Sequence, residues 1–282
     1  MNKGKNGFTG IIKILIVLNS VFYISAGHAQ GFYLSGNTGM AFQAFPTKVE
    51  TFFNVNNSNN TVRIQQPAFS LGGGFVTNAS LGYFFNDYIG VDLGISYQVG
   101  SKVLFSQEYV ILTQTELKEM TLYARRFSFI PSIIVKAGDG KVQPFFKLGP
   151  SFGSVRQYLD EKTTIDTNTS SKYWKYSGPT AVGLNIEAGI YYNLDDNLSF
   201  FLSSSYTNMV YNPTRADVVN ANHNGMGNSS SLQPFEKTIL FVEWSDDPYN
   251  AGPQDPDKPT RMQSQSFSYS NISLQLGVCY QF

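Results

Sequence analysis

The sequence predicts an all-β fold, an eight-stranded antiparallel up-and-down transmembrane β-barrel. Three observations carry that expectation. Eight segments alternate apolar with small or polar residues at the period of 2 that a strand imposes. Their connections alternate strictly between short and long, as in barrels with tight turns at one rim and large loops at the other. The last segment, NISLQLGVCYQF at 271–282, keeps its alternation to the final residue, where a water-soluble fold would leave a frayed end.

The N-terminus points to export. Lys3 and Lys5 open the chain. Residues 11–24 are mostly apolar, interrupted by Lys13, Asn19 and Ser20, and Gly27 and Ala29 are small. Residues 1–29 read as a signal peptide cleaved after Ala29, too short and too interrupted for a spanning helix. No other run approaches the roughly 18 apolar residues of such a helix. Residues 30–282 are therefore one barrel domain or a soluble one, and no second domain is expected. Without Lys3, Lys5 and Lys13, 17 basic residues face 20 acidic ones, a net charge of −3. That gives no basic field for nucleic acid. Charged residues are 14% of the chain and aromatics 15%, against about 25% charge in soluble domains. A lipid-facing surface excludes charge, so the shortage fits a membrane barrel. The one cysteine, Cys279, allows no intrachain disulfide and reads as a small packing residue.

The segments follow in order. In 31–45, Phe32, Leu34, Met40 and Phe42 oppose Tyr33, Ser35, Asn37 and Gln43. In 69–85, Phe69, Leu71, Phe75, Ala79, Leu81, Tyr83 and Phe85 oppose a face of Gly, Ser and Asn. The third, 89–100, is the cleanest: Ile89, Val91, Leu93, Ile95, Tyr97 and Val99 against Gly90, Asp92, Gly94, Ser96, Gln98 and Gly100. The fourth, 122–137, sets Phe127, Phe129, Pro131, Ile133 and Val135 against Arg126, Ser128, Ser132 and Lys136. The fifth, 142–155, and the sixth, 180–193, carry Lys147 and Glu187 on their polar faces. The seventh, 198–211, is weaker, because Phe201 and Met209 interrupt its polar face. The eighth is 271–282. Pro131, Pro144 and Pro150 suggest bulges or kinks.

Asn86-Asp87, 138–141 and 195–197 are tight turns. The long connections, about 46–66, 104–121, 156–178 and 212–266, read as polar extracellular loops. Thr238 to Trp244 could form a strand and is placed in an extracellular hairpin; a ten-stranded barrel is the alternative. Aromatics sort to two rims, as interfacial girdles do. Phe32, Tyr83, Phe85, Tyr192, Tyr280 and Phe282 mark the periplasmic one, and Phe42, Phe69, Tyr97, Phe127, Phe152 and Tyr206 the outer one. A soluble lipocalin-like barrel would explain the alternation but not the loop asymmetry or the terminal Phe282.

Gln275, Gly277, Tyr280 and Phe282 resemble the polar-x-Gly-x-x-aromatic-x-aromatic signal of bacterial outer-membrane proteins. That resemblance implies recognition by the barrel-assembly machinery. Residues 30–282 as a whole resemble the OmpA-transmembrane-like outer-membrane barrels. The likeness implies residence in the outer membrane of a Gram-negative type of cell, with outer-membrane lipid as surroundings.

Catalytic chemistry finds little footing. His223 lies in an Asn/Gly/Ser stretch near Ser229, Ser230 and Ser231, which reads as too flexible to hold a base against a nucleophile. Asp246, Asp247, Asp255 and Asp257 lack EF-hand spacing, and 56–60 is a loop tip. No enzyme activity, cofactor or metal is expected. The candidate site is a lumen ionic cluster of Asp92, Lys147 and Glu187 at similar heights, with Arg126 above as a cap. An eight-stranded interior is just wide enough for side chains to fill, so buried charges there must pair. On this view arginine at the lipid-facing Leu93 is costly and at the lumenal Ser96 much less so. The reading is a non-enzymatic surface protein acting through its loops in interaction or envelope integrity. The alternatives are a conduit for small hydrophobic compounds and, further off, a lipid-modifying enzyme.

Overall fold

The computed structural model describes residues 31–48, 54–56, 63–65, 68–111, 114–227, 229–243 and 255–282. The expected signal peptide, residues 57–60 of the loop tip, and Asp246 and Asp247 lie outside the described residues. Eight long strands form a ring: β1 (Gly31–Gln43), β2 (Gly74–Phe84), β3 (Ile89–Gly100), β4 (Gln114–Lys136), β5 (Val142–Ile165), β6 (Ala181–Asn193), β7 (Leu198–Tyr211) and β8 (Asn271–Gln281). Each pairs antiparallel with the next, and β8 closes on β1 from Tyr33 opposite Gln281 to Gln43 opposite Asn271. Closure matters because an open edge would leave backbone groups unpaired in lipid. Among the described residues no helix is long and apolar enough to cross a membrane, so any crossing is made by these strands.

The alternation sorts the faces. Leu34, Leu93, Ile95, Ile133, Leu202 and Leu274 point outward and are about half exposed, while Ser35, Ser96, Ser132, Ser203 and Ser273 point inward and are buried. Some inward positions must be glycine. A Cβ on Gly82 would fall inside the ring of Tyr33, and one on Gly277 would strike the ring of Phe201. The small face is thus the space that lets inward aromatics fit.

Two expectations fail at the rim with the long connections, here the loop end. Phe69 is not in an outer girdle: it is 5% exposed and packs on Phe105, 4.9 Å between ring centroids. The chain bends at Gly74, whose φ of 137° suits glycine alone. Residues 69–73 therefore leave the wall and lie over the mouth instead of extending β2. The segments 104–121 and 156–178 are not irregular loops either. β4 and β5 run for 23 and 24 residues, more than twice the roughly 9–11 that a tilted strand needs to cross a bilayer. They continue as a sheet with Val103–Ile111 beside β4, and Asn168–Ser177, Arg215–His223, Thr238–Val242 and Thr260–Gln263 beyond β5. The strand at Thr238–Val242 belongs to this extension and not to the ring. The extension is held by its own buried face, where Met120, Leu122, Leu159, Trp174 and Tyr176 join one apolar cluster. The cross-strand pairs Lys118–Glu161 at 2.5 Å and Lys162–Glu119 at 3.4 Å are partly or largely exposed and add little. Its inner face keeps apolar residues at Met120, Leu122, Ala124 and Leu159, but its outer face is wetted and polar, so the sequence looks like loop.

Candidate functional site

Three layers fill the ring. At the turn end Tyr33, Phe84, Ile134, Phe145, Tyr191, Phe201 and Cys279 form a buried apolar cluster. Phe145 and Tyr191 approach to 4.4 Å between centroids, and Tyr191 and Phe201 to 5.3 Å. The loop end holds a second cluster that includes Leu71, Leu122, Trp174, Tyr211, Phe267 and Tyr269. Its roof is two crossing segments, 68–73 and 267–270. They are tied by Leu71 N donating to Ser268 O at 2.8 Å and Ser70 Oγ donating to Ser270 O at 2.7 Å. Tyr269 reaches across the lumen to Gln157 Oε1 at 3.0 Å.

Between the seals lies a polar layer around a cavity of about 40 Å³, room for two or three waters. Asp92 and Lys147 meet here. Lys147 Nζ donates to Asp92 Oδ2 at 3.1 Å, and the same oxygen accepts from Ser80 Oγ at 2.8 Å and from the Tyr33 hydroxyl. Asp92 and Lys147 are 3% and 5% exposed, so each needs the other as counter-charge. Glu187 is the register partner of Lys147 and lines the cavity. It makes no ion pair within 4.0 Å, and its Oε1 has no hydrogen-bond partner among the described residues. Arg126 also lines the cavity, but its Nη1 donates to Tyr269 O at 3.1 Å. The guanidinium supports the roof from below and bonds to no carboxylate among the described residues. Neutral pairs complete the layer: Ser35 with Ser80 at 2.7 Å, Asn78 Nδ2 to Gln275 Oε1 at 2.7 Å, and Gln275 Nε2 to Ser205 Oγ at 3.0 Å.

The residues of the C-terminal pattern divide by face. Gln275 is buried in the polar layer and Gly277 backs Phe201, whereas Tyr280 and Phe282 point outward, Phe282 at 70% exposure. The seals themselves escaped the sequence reading. Their signal was present: Tyr33, Phe84, Ile134, Phe145, Tyr191 and Phe201 are apolar residues on the inward phase close to the turns. Phe201 and Met209, which spoil the polar face of β7, belong one to each seal. His223 is not in a flexible stretch but ends the strand Arg215–His223, where it is exposed. Ser229 Oγ is occupied by Ala221, accepting from its N–H at 2.8 Å. No group of three or more His, Cys, Asp or Glu side chains suited to a metal occurs among the described residues.

A closed ring with an apolar outer belt, tight turns at one rim and a packed interior defines a membrane-spanning β-barrel. The chain belongs to the family described as outer membrane protein β-barrel domain, whose model matches residues 15–229, and the family places it in the outer membrane. Neisserial surface protein A has a similar structure, with 12% identity, a TM-score of 0.40, and 90% of this chain and 100% of that chain covered. A major outer-membrane protein of Thermus thermophilus gives 14%, 0.40, 90% and 100%. Ail, the attachment invasion locus protein of Yersinia pestis, gives 10%, 0.30, 90% and 97%. No curated protein matches the chain.

Proposed function

We propose that this barrel is a non-enzymatic surface protein whose loop end faces the cell exterior and presents the extended sheet to the environment. The observation that carries this reading is where the chain spends its residues. The lumen is closed by an apolar layer at each end, while β4 and β5 continue far beyond the length needed to cross a bilayer. A conduit needs the opposite distribution. The Lys147–Asp92 pair and the water-sized cavity act as internal framework, fixing the wall strands from within. The C-terminal strand serves, on this reading, as the segment that assembly machinery recognises.

Two measurements test it. Met226, 73% exposed at the loop end, is changed to Cys in a Cys279→Ser background. A membrane-impermeant maleimide then labels intact cells; labelling only after permeabilisation would reverse the orientation. The purified barrel in a planar bilayer is expected to pass no steady current, and a steady conductance would favour the conduit.

A further inference from the structure

The lipid-facing belt ends differently around the ring. On β4 the outward residues Phe127, Phe129, Ile133 and Val135 are exposed and apolar. The run 127–135 covers 9 residues, one bilayer crossing for a tilted strand. The next outward residue toward the loop end is Arg125. On β5 the outward Phe146, Leu148 and Phe152 give way to Ser154 and then to Arg156. On β3 the series from Ile89 to Val99 is followed by Ser101 and the exposed Lys102. Two adjacent strands thus leave the apolar belt into an arginine each, and Lys102 follows the third in the connection beyond its end.

Arg125 and Arg156 are direct register partners across β4 and β5. Like charges placed opposite each other on one face repel, and neither arginine makes an ion pair among the described residues. Aromatic rings bracket the pair. Phe127 lies below it, and above it Tyr123 and Tyr158 stack at 5.3 Å between centroids, followed by Tyr173 at 5.6 Å from Tyr158. The Tyr123 and Tyr173 hydroxyls bond at 2.7 Å, and Lys102 Nζ stands 6.0 Å from the Tyr123 ring centroid. Rings with a polar edge mark the boundary between acyl chains and headgroups. The cations therefore sit at headgroup height without an ion pair among the described residues, and the ladder fixes Arg125 opposite Arg156.

We propose that Arg125 and Arg156, assisted by Lys102, clamp a phosphate on the headgroup of an acidic glycolipid in the outer leaflet. Paired guanidinium forks match the oxygens of a phosphate, and an anion between them removes their mutual repulsion. The stacked tyrosines above would hold the sugar side of the headgroup in register. The clamp occupies one sector of the wall, so the barrel takes a lipid at a fixed place instead of a uniform annulus. It rests on the proposed orientation, which the Met226→Cys labelling tests without any lipid.

Native mass spectrometry of the purified barrel, released from micelles containing lipid A or chemically dephosphorylated lipid A, tests the clamp. The wild type is expected to retain one phosphorylated lipid and little of the dephosphorylated one. Each arginine near an anionic surface is worth about five-fold, so Arg125→Gln with Arg156→Gln should weaken retention about twenty-five-fold. Lys141→Gln at the turn end removes the same kind of charge elsewhere and should leave retention unchanged. Both variants alter exposed positions, and heat-modifiable migration verifies that they fold. Equal retention of the two lipids, an unaffected double variant, an equal loss in Lys141→Gln, or displacement by millimolar inorganic phosphate would each overturn the proposal. Surface labelling of Met226→Cys together with any of those results would remove the clamp and leave the orientation standing.

Discussion

Lys147 on β5 reaches Asp92 on β3 at 3.1 Å, although β4 stands between those strands in the ring. The bond passes over the neighbouring Glu187, which is nearer in register but carries no ion pair within 4.0 Å among the described residues. Height along the wall sets which charges are level. Side-chain length and the donors around Asp92 decide which of them meet. Tyr33 and Ser80 already aim hydroxyls at the same Asp92 oxygen, so that carboxylate offers the ammonium a better-built site.

Lys147→Met should destabilise the barrel by about 3–5 kcal/mol, because it leaves Asp92 buried without its counter-charge. A double-mutant cycle with Asp92→Asn should show a coupling of about 1–3 kcal/mol. The cycle of Lys147 with Glu187 should couple more weakly. Urea unfolding in lipid vesicles measures all of them, and a larger Glu187 coupling would show the pairing is misassigned.

Gly82→Ala should cost about 1–3 kcal/mol through overpacking, since the new methyl would occupy the Tyr33 ring. In a Tyr33→Ser background the same change should cost almost nothing. An undiminished cost there would place the damage in the backbone and not in the ring contact.

Leu93→Arg should cost about 2–4 kcal/mol, the value for arginine on a lipid face near the midplane. The filled interior alters the sequence-based expectation for Ser96. Ser96 is 4% exposed and lines a cavity of about 40 Å³, too small for a guanidinium and its stem. Ser96→Arg should therefore be costly as well, by overpacking, while Ser96→Ala should be mild. A tolerated Ser96→Arg in vesicle unfolding would mean the lumen is wetter and wider than described.

Asp217 ties two strands of the extension, accepting from Arg215 Nε at 2.7 Å and from Thr238 Oγ1 at 2.9 Å. Burial alone would raise its carboxyl, but those hydrogen bonds and the charges of Arg215 and Lys175 outweigh it and hold the group below the usual carboxylate range. A lowered folded value means the clasp contributes above the unfolded carboxylate pKa and is lost as pH falls through the folded one. Backbone hydrogen exchange in 238–242, corrected for its intrinsic pH dependence, should rise in acid. Asp217→Asn should remove that dependence, and an unchanged acid response in the variant would place the sensitive group elsewhere.

Deleting Phe282 should lower the yield of assembled barrel far more than the stability of barrels that do assemble. Its side chain is 70% exposed and packs edge-on against Tyr280, 5.1 Å between ring centroids, so the deletion loses little packing and one closing backbone bond, Phe282 N to Phe32 O at 2.9 Å. Quantifying heat-modifiable protein in membranes against urea midpoints of the purified variant separates the two effects. Wild-type assembly levels would show that the terminal ring is not part of a recognition signal.

The sequence alone determined the ring. A period of 2 and the alternation of short and long connections are local properties, legible in any strand whose two faces meet different solvents. β3 shows this most clearly, with Leu93 outward and Asp92 inward read directly from the alternation. The lipid belt, the last strand closing on the first, and the lumenal setting of Asp92, Arg126, Lys147 and Glu187 followed from the same periodicity. Tertiary structure decided what closes the lumen. Tyr33 and Phe201 look like flaws in a polar face until Gly82 and Gly277, on neighbouring strands, are seen to leave room for their rings. It also decided the extension, because Leu122, Leu159 and Trp174 are buried in one cluster with Leu71 and Tyr269, contacts between distant segments that no local pattern records. The roof at 69–73 depended on Gly74 turning the chain inward and on residues 267–270 arriving from the far end of the sequence. Periodicity reports which side of a wall a residue faces. Which residues meet inside the wall depends on where distant segments cross, and only the closed fold fixes that.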